Sequence, residues 1–131
     1  MNAGRILQRA GYDTEALRVR LTPVDPDQIN VYPASKLMRR MWRSGIKGVT
    51  FRNLVFVDPE FIKGDPRRLA RLVIHELVHV RQYSDQGYIP FSARYLYEFG
   101  RGLLSGKGVR GAYLDIGAER EARHLTETIE A

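Results

Sequence analysis

His75 and His79 stand four residues apart with Glu76 directly after the first, and their types and spacing spell out a definite chemistry. A helix carries positions four apart on one face, one turn apart, so both imidazoles can reach a single metal ion at about 2.0–2.1 Å. Glu76 points slightly around the helix from them, where its carboxylate can hold a water beside the metal instead of binding the metal itself. Zinc lowers the pKa of such a water to about 7 and polarises a carbonyl. A neighbouring carboxylate can then take the water's proton and pass it to a leaving amine. The competing reading is a pair of satisfied core histidines. A chance HExxH at this chain's own His and Glu frequencies has odds of roughly 0.4%. The surrounding residues are also apolar, a setting in which unpartnered polar groups are costly.

The composition narrows what can complete such a site. The chain has 131 residues, no cysteine and three histidines, the third being His124. Disulfides, thiolate metal sites and thiol nucleophiles are therefore out. Two histidines need a third protein ligand, and only imidazole or carboxylate can supply it. Glu119 is the first candidate, followed by Glu121 and His124 on the same C-terminal segment, with Glu98 and Asp115 behind them. Glu119 and Glu121 lie on different faces of a helix, so one of them at most faces the metal.

The elements that must position these residues can be read from periodicity and punctuation. Residues 3–11 suit a short helix, with Ile6, Leu7 and Ala10 on one side and Gly11 as a stop. Leu17 to Leu21 alternates apolar and basic residues, the period of a half-buried strand. Ile29, Val31 and Tyr32 suggest another strand. Ser35 can cap a helix to about Arg43 that turns Leu37, Met38, Met41 and Trp42 inward and ends at Gly45. Val49–Phe51 and Leu54–Val57 form a hairpin joined at Arg52-Asn53, closed by Asp58-Pro59. Asp65 and Pro66 open the long HExxH helix, which runs to about Ser84 and is apolar around most of its circumference. A helix from about Phe91 to Leu104, a glycine-rich loop and a helix from about Ala118 to Ile129 complete the chain. Strands first and helices second predict an α+β class in a single domain over 1–131: an N-terminal helix and strands over 1–33, a helix and hairpin over 34–63, and the HExxH and C-terminal helices over 64–131.

The run LVIHELVHVRQ resembles the active-site helix of small zincin-type metallopeptidase domains of the gluzincin kind. Gly87, Phe91, the Tyr95–Glu98 segment and Tyr113 ahead of GAEREAR carry the likeness further. There HExxH extends to HExxHxxQ, and a glutamate comes from a later helix. The preceding VTFRNLVFVD hairpin is similar to the strand pair that leads into that helix. The likeness covers roughly residues 48–124. It implies a zincin-like fold, with a small sheet packed on the buried HExxH helix, and a zinc-dependent peptidase activity. Carried over residue by residue, it implies His75, His79 and Glu119 as zinc ligands and Glu76 as catalytic base. Gln82 matches the glutamine of the longer motif, and a polar bond tying the helix end to a loop would explain it equally well. Where relatives often have Asn-Pro before the glutamate, this chain has Ile116-Gly117, which keeps Glu121 open as the third ligand. The likeness also implies a peptide or protein substrate lying antiparallel along an edge strand, either Val49–Phe51 or Leu54–Val57. Tyr113 is the first candidate to stabilise an oxyanion, with Tyr95 and Tyr97 behind it.

Charge supplies a second theme. The formal net charge is +6, with arginine outnumbering lysine 17 to 4. Arg39, Arg40, Arg43, Lys47 and Arg52 form one cluster, and Arg67, Arg68 and Arg71 form another. Both suit a solvated helix face. They also leave room for an acidic or nucleic-acid partner and for the alternative of a non-catalytic zinc-containing basic binding module. The N-terminus shows no secretory signal and no stretch approaches a membrane span, which predicts a soluble chain, cytoplasmic or released as part of a larger assembly.

Overall fold

Local capping signals set where the helices begin. The computed structural model describes residues 1–41, 47–51 and 53–130. Asn2 accepts a hydrogen bond from the Arg5 amide and opens α1, Ala3–Arg9. Asp13 does the same for α2, Thr14–Arg20, taking the amides of Glu15 and Ala16. Strand β1, Asn30–Pro33, follows, and then α3, Lys36–Met41, whose Met38 amide donates to Ser35 Oγ. Strands β2, Gly48–Phe51, and β3, Leu54–Val57, lead into α4, Pro59–Lys63, capped by Asp58. Asp65 caps α5, Pro66–Gln86, with Pro66 at its first position, where a missing N–H costs nothing. Gly87, at φ +81°, turns the chain into α6, Tyr88–Leu104. Helices α7, Gly108–Leu114, and α8, Gly117–Glu130, complete the chain.

The class is α+β, with one small mixed sheet in the order β1-β3-β2. β3 is central, parallel to β1 and antiparallel to β2. The register pairs Thr50 with Val55 and Val49 with Phe56. The outer edge of β1 is covered by the N-terminus, because the Val31 amide donates to Met1 O and the Ala3 amide to Ile29 O. The Leu54–Val57 strand therefore cannot be an open edge, whereas β2 pairs on one side only within this sheet.

Helix α5, about 32 Å long, is the element around which the rest packs. The sheet, α1, α4, α6 and α8 all rest on it. Val31, Val55 and Val57 from the sheet, Ile6 and Leu7 from α1, and Val73, Ile74, Leu77 and Val78 from α5 share one buried cluster. Each fully buried side chain of this size contributes about 1.5–3 kcal/mol relative to exposure.

Several sequence expectations are corrected. Leu17 to Leu21 is not a strand. Asp13 starts a helix there, and Leu17 and Leu21, four apart, are both buried while Val19 between them is 75% exposed. Their alternation was the visible part of a helical i, i+4 pair. The chain therefore does not place its strands first, since two helices precede β1. Leu37 does not turn inward but is 68% exposed. Asp58-Pro59 opens a helix as well as closing the hairpin, and the glycine-rich stretch contains α7. The expectations for Trp42, Arg43, Gly45 and Arg52, and for the Met41 side chain, lie outside the described residues. No described helix is long and apolar enough to cross a membrane.

Candidate metal centre

The inward face of α5 carries the site. His75, Glu76 and His79 each present a ligand atom, all within 4.8 Å of one another, and this His-Glu-His group can hold a metal ion. Glu119 approaches it from α8. His75 Nε2 and His79 Nε2 both lie 2.9 Å from the same Glu119 oxygen, Oε1. Ligand atoms around a tetrahedral zinc are spaced by about 3.3 Å, as follows from metal–ligand bonds near 2.0–2.1 Å. The three atoms are thus converged on the right scale, and their donor types, two imidazoles and a carboxylate, suit zinc. The fit holds for the residues present.

The Glu119 register is fixed locally. Ile116 is fully buried before α8, and the Gly117 amide donates to Glu98 Oε2 at 2.9 Å, capping the helix. Glu119, Ala122 and Thr126 then form its buried face. Glu121 is exposed, as is His124. Glu98 is engaged as the α8 cap and Asp115 is paired with Lys107, so neither reaches the histidines.

Gln82 bridges α5 and α8. Its Oε1 accepts from His79 Nδ1–H at 2.8 Å, and its Nε2 donates to the carbonyl of Ala118 at 3.0 Å. One amide thus orients His79 and ties α5 to the residue before Glu119. The polar tie weighed for Gln82 is present, and it is made to α8.

Glu76 is 2% exposed and lies against β2. The Thr50 hydroxyl donates to its Oε2 at 2.6 Å. A Cβ on Gly48 would come within 2.9 Å of Oε1, so only glycine lets the strand approach this closely. Thr50 and Gly48 were not singled out from the sequence. An inward Gly-x-Thr alternation on the strand before the HExxH helix was the available signal.

Electrostatics follow from this enclosure. Burial raises the Glu76 pKa, more than the positive ends of His79 and His75 and the Thr50 hydrogen bond lower it. Burial opposes charge on His79 too. There the hydrogen bond to Glu119 and the Glu76 charge outweigh it and push the imidazole up to about 9. Glu119 is the mirror case: burial favours its neutral form, and the bonds from His75 and His79 still hold it well below the usual carboxylate range. His79 and Glu119 thus favour each other's charged forms across their 2.9 Å contact. Tyr95 donates to Glu119 Oε2 at 3.1 Å. Burial first, and the Glu119 charge second, push the phenols of Tyr95 and Tyr113 far up, so both stay protonated. Tyr113 lines the cavities on both sides of the site, while Tyr97 is 68% exposed and takes no part.

The basic clusters divide by role. Arg67 and Arg68 lie over the rings of Tyr12 and Phe61, holding α5 to its neighbours, and Arg39 stands 3.9 Å from Asp58. No protein-family model, curated protein or solved structure matches the chain.

Proposed function

We propose that the chain is a zinc-dependent peptidase with a zincin-like fold, in which His75, His79 and Glu119 hold the zinc and Glu76 is the general base. The observation that carries this reading is the convergence of two imidazole nitrogens on one Glu119 oxygen, 2.9 Å from each, with a buried carboxylate beside them. Zinc bound there would polarise a scissile carbonyl and lower the pKa of a water to about 7. Glu76 takes the proton of the attacking water and gives it to the leaving amine. Its raised pKa suits that shuttle, because a desolvated carboxylate accepts a proton more readily near neutral pH. Tyr113 keeps its phenol proton and can donate to the developing oxyanion, while Tyr95 steadies Glu119.

The β2 edge supplies a place for an extended peptide. The Asp58 amide donates to the Lys47 carbonyl, and antiparallel pairing alternates, so Gly48 and Thr50 turn their backbone polar groups away from β3. A substrate strand pairing there antiparallel would run along the cavities that β2 shares with His79 on one side and with His75 and Glu76 on the other.

The test combines metal analysis with turnover. Purified protein should hold one zinc per chain and cleave peptides, and Glu76→Gln should keep the zinc while losing at least about 1,000-fold in kcat, a typical loss on removing a general base. Turnover that survives Glu76→Gln overturns the assignment. Zinc without turnover of any peptide overturns it in favour of a non-catalytic binding module, the reading that the basic residues near the site favour.

A further inference from the structure

Two cavities flank the site, and their chemistry is opposite. Gly48, Tyr113 and Glu119 line both, so the cavities meet at the candidate metal centre. On the His79 side a cavity of about 350 Å³ is walled by Tyr83, Phe91, Tyr95 and Leu96. Its rings are packed on each other, with centroids 4.3 Å apart for Tyr83 and Phe91 and 5.9 Å for Phe91 and Tyr95. No lysine or arginine is among the described residues that line it. On the His75 side a cavity of about 440 Å³ draws Lys47, Arg68, Arg71 and Arg123 to its rim, with Glu127 as the one carboxylate outside the site itself among the described residues that line it. Arg68 lies 4.8 Å from the Phe61 ring, and Arg123 donates to the Leu114 carbonyl at 2.5 Å. Neither contact cancels a charge. Members of both sequence clusters, Lys47 and Arg68 with Arg71, thus meet a fourth cation, Arg123 from α8.

We infer that the cleft selects peptides with a large apolar residue on the N-terminal side of the scissile bond and an acidic residue on its C-terminal side. This rests on the peptidase reading, and strand direction fixes the polarity. The aromatic cavity extends along β2 as far as Thr50, and the basic one reaches back to Lys47. A peptide antiparallel to β2 therefore enters over the aromatic cavity and leaves over the basic one. An apolar side chain fills the first without stranding a charge. A carboxylate in the second meets guanidinium groups suited to bidentate contact, whereas a lysine there is repelled.

The experiment pairs cleavage with binding. Peptides differing only in the position after a phenylalanine, occupied by Glu, Gln or Lys, are offered to the zinc-loaded protein and cut sites are read by mass spectrometry. The same peptides are titrated into the Glu76→Gln protein by fluorescence anisotropy. The Phe-Glu peptide should exceed Phe-Lys about tenfold or more in kcat/KM and in affinity, and the preference should shrink as salt rises from about 0.05 to about 0.5 M. Arg68→Glu with Arg71→Glu should reverse the order. Lys47→Glu, on an exposed side chain, should narrow it even where that double variant fails to fold. Equal cleavage of all three peptides overturns the selectivity and leaves the peptidase. No hydrolysis with the same binding order overturns the peptidase and leaves the acidic-peptide cleft. Neither hydrolysis nor a binding order overturns both.

Discussion

The Thr50 hydroxyl and the Glu76 carboxylate meet at 2.6 Å across the gap between strand β2 and helix α5. The contact fixes Oε2 and leaves Oε1 beside Gly48, so the strand proposed to receive a substrate also aims the Glu76 carboxylate. Thr50→Val keeps the shape and removes the donor. Without it the already raised Glu76 pKa moves further up, since that hydrogen bond favours the charged form. The acidic limb of a pH–kcat/KM profile should shift to higher pH and turnover near neutral should drop about tenfold, with zinc content unchanged. An unmoved limb would reduce the contact to packing.

Gly48→Ala tests the same junction by crowding. The new methyl would come within 2.9 Å of Oε1 and 3.2 Å of the carboxyl carbon. Glu76 is buried and tethered, so it cannot swing aside cheaply. Overpacking of this kind costs about 1–3 kcal/mol. The expected outcome is a lower melting temperature and turnover reduced more than zinc binding. Wild-type turnover from Gly48→Ala would show that the strand can give way.

Much of the site was legible because its signals are local. HExxH on an apolar, well-capped segment marks both the helix and its inward face, and of the C-terminal candidates it is Glu119 that lies against both histidines. The fold was harder. Leu17 and Leu21 satisfy a strand's alternation and a helix's i, i+4 spacing equally, and the decisive feature was the Asp13 cap a few residues earlier. Leu37 looked inward because a capped amphipathic segment implies a core to face, yet nothing in the segment itself says where that core is. Thr50 and Gly48 became visible only when β2 was laid across α5, a pairing set by tertiary packing.

Glu119 and Glu121 separate cleanly by substitution. Glu119 is 2% exposed with Oε1 against both histidines, whereas Glu121 is exposed. Glu119→Gln should lose stoichiometric zinc, and Glu121→Gln should bind it as the parent does. Atomic absorption after dialysis decides, and the opposite pattern would transfer the ligand role to Glu121.

Gln82→Leu removes both the acceptor for His79 Nδ1–H and the donor to Ala118. Groups that orient a ligating imidazole are typically worth 10- to 100-fold in metal affinity. A loss of about that size is expected in competition with a chelating dye. Gln82→Glu, which keeps the acceptor, should recover part of it. Equal losses in the two variants would assign the effect to the Ala118 tie alone.

In the metal-free protein the same residues set a pH dependence. His79 is held up to about 9, above its ordinary 6.5. Its contribution is therefore fully present below pH 6.5 and is lost as pH rises through about 9. Glu119 is held below its ordinary 4.5, so its contribution is present above pH 4.5 and lost as pH falls below it. The His79–Glu119 pair should stabilise most between these limits, by an amount on the order of 3 kcal/mol for His79. Chelator-treated protein, compared with its His79→Gln variant to remove the background of other groups, should show its largest melting-temperature advantage near pH 5–6 and lose it toward pH 9.5. Zinc should restore progressively more stability as pH rises toward about 9, because binding must displace the proton from His79 Nε2 and that proton leaves more readily as pH rises. A difference between the two proteins that stays flat from pH 6 to 9.5 would rule out the His79–Glu119 ion pair.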